Sequence, residues 1–140
     1  MKKMFAIVLT IAVFSLVFCS CVADKDASSV WDDATYTEDT QLGSGNVSFE
    51  FAVTAEEKTV NFVIKTDKET VGQALEEIKL IEGEEGPYGL YVKTVNGMFA
   101  DYEKTHTYWS FMKDGEAMQT GVDIEKIQKN AKYSFEYIKQ

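Results

Sequence analysis

Two alternating apolar runs, followed at once by a single amphipathic stretch, set the strongest limit on what this chain can fold into. Val47, Phe49, Phe51 and Val53 alternate with Ser48, Glu50 and Ala52, and Val60, Phe62 and Ile64 repeat the pattern across residues 59–65. Period-two alternation marks half-buried strands. The short cluster Ala55-Glu56-Glu57-Lys58 turns between them. Residues 70–80 change period: Val71, Ala74, Leu75 and Ile78 fall on one helical face with the charges opposite. Thr70 can cap the start of that helix, and Gly83 follows its end.

The remainder is strand-rich. Residues 91–95 lead into Asn96-Gly97, a hairpin turn in which both residues tolerate positive φ, and residues 98–102 return. Residues 107–112 form a further aromatic strand, and Lys113-Asp114-Gly115 turns it toward residues 116–118. Residues 132–138 close the chain with Tyr133, Phe135 and Tyr137 on one face. Two strands, one helix and then several strands predict an α+β domain over residues 47–140, with a β-grasp-like mixed sheet and one packed helix.

The N-terminal part carries an address rather than a core. Lys2 and Lys3 precede residues 4–18, which are apolar apart from Thr10 and Ser15. That length suits a signal-peptide core and is short of the ~20 residues of a membrane span. The sequence Phe18-Cys19-Ser20-Cys21 resembles the lipobox of bacterial lipoproteins, in which cleavage precedes a cysteine that follows a small residue. Ser20 is small and Phe18 is not, so the resemblance implies a signal peptide over residues 1–20 and lipidation at Cys21. Phe18 departs from the leucine usual three places ahead. An ordinary secretion signal and a retained span are the alternatives. Val22, next after the cysteine, is not an inner-membrane retention aspartate. Two acyl chains give stable anchoring where one gives only marginal binding. The expected location is therefore extracytoplasmic, lipid-anchored to the bacterial membrane.

Between address and domain, residues 22–46 read as an acidic, flexible tether. Asp24, Asp26, Asp32, Asp33, Glu38 and Asp39 are interspersed with Ser28, Ser29, Gly43, Ser44 and Gly45. The apolar side chains have no period, and Trp31 and Tyr36 are expected to stay free of the domain.

Charge limits the partners. The chain carries a formal net charge of −9; without residues 1–20, which hold Lys2 and Lys3 and no acid, 12 basic and 23 acidic side chains remain, a balance of −11. Phosphate backbones are bound through Lys and Arg, so nucleic acid is excluded as a partner. Anionic headgroups would also repel such a surface, so membrane attachment needs a covalent lipid. Both cysteines, Cys19 and Cys21, sit at the end of the leader, too close for a good disulfide and without neighbouring metal ligands.

Little in the chain suggests catalysis. His106, the one histidine, lies between Thr105 and Thr107 and reads as a hydrogen-bonded loop residue. Phosphate loops, nucleophile elbows and zinc-protease motifs are missing from the sequence. Glu76-Glu77 and Glu82-Gly83-Glu84-Glu85 read as a solvated helix face and loop, without calcium-loop spacing. The expectation is a protein that is not an enzyme. What stands out is aromatic density: Tyr88, Tyr91, Phe99, Tyr102, Tyr108, Trp109 and Phe111 crowd into one stretch. Side chains alternate along a strand, so Trp109 cannot share a face with both Tyr108 and Phe111 unless a bulge intervenes. One set packs under the helix. The other is core elsewhere, or forms a surface for a flat apolar ligand or a partner.

Three segments together carry a family resemblance. They are Glu85-Gly86-Pro87-Tyr88-Gly89-Leu90-Tyr91-Val92-Lys93-Thr94-Val95-Asn96-Gly97, then Tyr108-Trp109-Ser110-Phe111-Met112, then Met118-Gln119-Thr120-Gly121-Val122-Asp123. In that order, after the helix, the chain resembles the bacterial DUF4430 family, which is similar to the C-terminal β-domain of transcobalamin and intrinsic factor. The resemblance implies a surface-tethered lipoprotein that captures cobalamin or another corrinoid for uptake. It assigns ligand contact to Tyr88 of the Gly-Pro-Tyr loop, to Trp109, Ser110 and Phe111 of the tryptophan strand, and to Met118, Gln119 and Thr120 of the return segment. In the animal carriers a helical barrel completes the site and supplies the cobalt-binding histidine. This chain lacks the barrel, so that role does not pass to His106, and a transporter or a helical partner domain is implied as the missing wall. The last turn reads Asn130-Ala131 where the family often has Asp-Gly, which puts its geometry in question. The alternative function is a cell-surface module that contacts protein or glycan without binding corrinoid.

Overall fold

The computed structural model describes residues 28–140. The signal peptide and the lipidated Cys21 expected from sequence lie outside the described residues. Strands β2 (Val47–Ala55) and β3 (Lys58–Thr66) pair antiparallel over their full length, from Val47 opposite Thr66 to Ala55 opposite Lys58. Their two-residue turn puts Glu56 at φ 47° and Glu57 at φ 66°, the geometry that follows the twist of a hairpin. Alternation works as expected: Phe49, Phe51, Val53, Val60, Phe62 and Ile64 are buried on one face.

Helix α1 (Val71–Glu77) lays Val71, Ala74 and Leu75 against that face. The Thr70 hydroxyl accepts from Gln73 N at 3.2 Å, the expected N-cap. The helix stops short of the expected Leu80. Lys79 turns left-handed at φ 56°, Lys79 N donates to Glu76 O at 2.9 Å, and Leu80 N donates to Leu75 O at 2.9 Å. That pair of bonds is a Schellman ending, made here by a lysine rather than by Gly83. Release of the chain at residue 80 lets the acidic stretch run straight on as a strand.

That strand, β4 (Ile81–Gly86), is where a solvated loop was expected. It pairs antiparallel with β5 (Gly89–Val95), with a bulge at Glu82/Gly83, and β6 (Met98–Phe99) adds to β5 to give a second sheet of three strands. Glu84 faces Lys93 at 3.1 Å, which places the acids on the wet side. A one-turn helix α2 (Tyr102–Thr105) then leads into β7 (Thr107–Lys113), β8 (Glu116–Ala117) and β9 (Lys132–Lys139).

The main sheet has six strands in the order β1-β3-β2-β9-β7-β8, where β1 is Thr40–Gly43. The last strand, β9, inserts parallel to β2 and antiparallel to β7, with Phe51 beside Tyr133, Val53 beside Phe135 and Phe111 beside Phe135. Hairpin, helix and a closing central strand parallel to the first make the β-grasp-like α+β arrangement. The core lies between the main sheet on one side and α1 with the small sheet on the other. Aromatic rings fill it: Phe111 stacks on Tyr133 at 6.1 Å, and Phe51 meets Phe135 edge-on.

The segment expected to be a free tether is part of the fold from residue 29 onward. Ser29 Oγ donates to Glu56 at 2.6 Å, and Val30–Asp33 form a 3-10 turn. Trp31 Nε1 donates to Ala55 O at 2.8 Å while Lys58 sits over its ring. The buried Asn96 side chain clamps Tyr36, accepting from its N–H at 2.9 Å and donating to its carbonyl at 2.8 Å. Tyr36 packs edge-on against Phe62, and β1 then joins β3 in parallel. The physical reason is the open edge of β3, whose unpaired backbone groups and neighbouring Phe62 ring are covered by this strap.

The last turn is made without strain on alanine. Asn130 takes the positive φ of 70°, so the buried Ala131 does not have to.

Candidate functional site

At one end of the molecule two turns face each other. The first closes the β4–β5 hairpin, with Gly86 opposite Gly89 and Tyr88 at the tip, 87% exposed. The second is the return segment of residues 118–123. Asp123 joins them: its Oδ1 accepts from Leu90 N at 3.0 Å. Gly89 sits at φ 107°, and a Cβ there would stand 2.6 Å from Asp123 Oδ1; one on Gly121 would also strike that oxygen. Glycine at both positions is what lets the carboxylate reach the strand backbone.

The same loop is tied down behind the site. Val71 N donates to Glu125 O and Gly72 N to Val122 O, both at 2.9 Å, so free N–H groups of the first turn of α1 are satisfied by the loop. Lys113 Nζ meets Glu125 at 2.7 Å with both side chains largely covered. The Tyr133 hydroxyl donates to Lys126 O and accepts from Gln128 N. The hydrogen bond to Glu125 raises the Lys113 pKa above its ordinary value, and burial raises that of Tyr133.

Between the two turns lies an open groove of about 280 Å³, lined by residues 86–91 on one side and Gln119, Thr120 and Gly121 on the other. Three of the residues expected at the site, Tyr88, Gln119 and Thr120, meet there. The other four do not. Trp109 and Phe111 share the buried face of β7, 6% and 8% exposed, and Trp109 Nε1 donates to Met98 O at 3.2 Å. Trp109 therefore joins the two sheets from within and presents no face to a ligand. Ser110 points to the opposite side of β7, beside Met112. Met118 is half-buried against the core, and its N–H bonds Phe111 O at 2.9 Å. Sequence reasoning left Asp123 without a role, although Gly-Val-Asp is one of the segments that carry the resemblance. Its function as a latch depends on Gly121, two residues before it, and on Gly89, more than thirty residues away.

A second depression, of about 450 Å³, lies on the uncovered face of the main sheet around Asn61, Val63, Ala52 and the Glu50–Lys132 pair. It holds none of the expected residues. His106 serves as the left-handed C-cap of α2, with its ring edge-on to Tyr102. Among the described residues no group of three or more His, Cys, Asp or Glu could hold a metal ion, and no helix is long and apolar enough to cross a membrane. The groove offers two exposed aromatics, Tyr88 and Tyr91, the polar side chains of Gln119 and Thr120, and turn backbone.

No curated protein matches this chain. Among solved structures, a candidate metal binding protein from Ruminococcus gnavus ATCC 29149 is 26% identical, with a TM-score of 0.62 over 68% of this chain and 99% of that one. Haptocorrin in complex with Cbi is 19% identical, with a TM-score of 0.54 over 66% of this chain. The match spans only 25% of haptocorrin, so the likeness is one of fold and to a part of that protein. Residues 68–139, which hold α1, both turns of the groove and the closing strand, match the domain of unknown function DUF4430, and the chain belongs to that family.

Proposed function

We propose that this protein is a lipid-tethered, non-enzymatic binding module of the extracytoplasmic face that captures a corrinoid through the groove between Tyr88 and Thr120. One observation carries it: Tyr88, Gln119 and Thr120, from segments far apart in sequence, line the same groove. The haptocorrin complex with Cbi (cobinamide) supports the ligand class through the shared fold. A corrinoid brings its own cobalt. That is compatible with a structural neighbour described as a candidate metal binding protein and with described residues that offer no metal-ligand cluster.

A groove of this size covers only an edge of a macrocycle, whereas tight sites bury most of their ligand. A second wall from a transporter or a helical partner would complete the site, and the isolated domain should bind weakly. Calorimetric titration of residues 28–140 with cobinamide and with cobalamin tests this. Saturable heat, reduced about tenfold in affinity (~1.4 kcal/mol) by Tyr88→Ala, supports corrinoid capture. No heat up to millimolar ligand contradicts it and turns attention to protein or glycan partners.

A further inference from the structure

The strap that was expected to be a loose tether fixes the entry of the chain to one end of the domain. Its first anchored residues hold one pole of the molecule. Ser29 and Val30 bond Glu56, Trp31 bonds Ala55 O, Thr35 N donates to Asn96 O at 2.8 Å, and the Asp33 carbonyl lies against Gly97. The β2–β3 and β5–β6 turns therefore share the pole at which the chain enters.

The groove is at the other pole. Gly89 and Val95 are the two ends of β5, about 20 Å apart at ~3.3 Å per residue, with Tyr88 beyond one end and Asn96 beyond the other. The helix repeats this polarity. Val71 and Gly72, at its start, bond the loop of residues 122–125, while Leu80, past its end, accepts from Asn96 N.

We propose that the strap pole is the membrane-facing surface of the domain and that the groove opens on the face turned away from the bilayer. This orientation rests on lipidation at Cys21. Seven peptide units separate Cys21 from Ser28, which allows at most about 24 Å at ~3.4 Å per residue. The strap pole is thus held within about 24 Å of the headgroups, a reach close to the ~20 Å length of β5. Asp32, Asp33, Glu56 and Glu57 are exposed there. Their charge keeps the pole above anionic headgroups rather than in them. A ligand or partner reaches the groove from the outside, and a membrane-embedded partner must rise past the domain to touch it.

The test uses the full lipidated chain in vesicles of phosphatidylcholine and phosphatidylglycerol carrying an acceptor lipid. The chain beyond Cys21 has no other cysteine, so Glu57→Cys and Glu85→Cys each give a unique site for a donor dye, at the strap pole and beside the groove hairpin. Transfer to the acceptor lipid should be about twofold or more stronger from residue 57, given the ~20 Å between the poles. A flexible spacer inserted between Ala27 and Ser28 should shrink that difference. Equal or reversed transfer in protein that floats with the vesicles overturns the orientation alone. Protein that fails to float, with no lipid mass at Cys21, overturns the lipoprotein reading and the orientation with it.

Discussion

Trp109 is held inside the fold, 6% exposed, with its Nε1 donating to Met98 O of the small sheet. Its strand alternates as expected, and it is Phe111, two places on, that shares its face. The face they share is settled by β9, whose Phe135 and Tyr137 stand beside them. That pairing spans over twenty residues of chain and no local pattern encodes it. Trp109→Ala should therefore act as a core truncation, costing about 3–5 kcal/mol in denaturant unfolding. Its effect on any ligand should follow from lost fold. Tyr88→Ala, at an exposed tip, should leave the unfolding midpoint unchanged within error and alter only binding.

Lys113, Glu125 and Tyr133 carry a second residue-scale consequence. Both Lys113 and Tyr133 titrate higher in the folded chain than in the unfolded one. A raised folded pKa gives stability that is complete below the unfolded value and lost as pH climbs through the folded value. Unfolding free energy should thus fall as pH rises above about 10. Glu125→Gln removes the partner that raises Lys113 and should flatten this alkaline decline. A profile as steep in the variant as in the parent would show that the decline arises elsewhere.

At the scale of elements, the hairpin β2–β3 and the start of α1 were legible because each follows a local rule: alternation, a cap and a helical stripe. Helix α1 ended early, since a left-handed lysine is a costlier solution than glycine and leaves little trace in the sequence. The strap was illegible for a different reason. Residues 29–43 have no period because they bind one contact at a time: an indole to a carbonyl, a backbone to the Asn96 amide, four residues to a strand edge. Asn96 was read only as a turn former, and its buried side chain is the strap's clamp. Asn96→Ala leaves the N–H and carbonyl of Tyr36 without those partners, at a cost of about 1–3 kcal/mol. Amide exchange should quicken most in residues 30–43. A chain begun at Val47 would expose Phe62 and the β3 edge and should be less stable and more prone to associate than one begun at Ser28. Equal stability of the two would mean that the strap only decorates the domain.

For the whole molecule, sequence resemblance and structure agree on the fold and divide on the site. The β-grasp-like sheet and DUF4430 membership follow from segments that keep their order and spacing. Of the ligand-facing positions implied by that resemblance, Tyr88, Gln119 and Thr120 meet at the groove, Trp109 and Phe111 are committed to the core, Ser110 faces the other side of the sheet, and Met118 packs half-buried against the core. A strand residue is committed to one face by the pleat, whereas a turn residue at the pole stays free for contact. In the proposed function the molecule is polar, with attachment at one end and recognition at the other. Two-dimensional NMR of residues 28–140 titrated with cobinamide tests this most directly. Capture at the groove should shift the amides of Tyr88, Gly89, Gln119 and Thr120 progressively and leave Asn61, Val63 and Lys132, on the uncovered sheet face, in place. Shifts centred on the sheet face, or none at all, would contradict it.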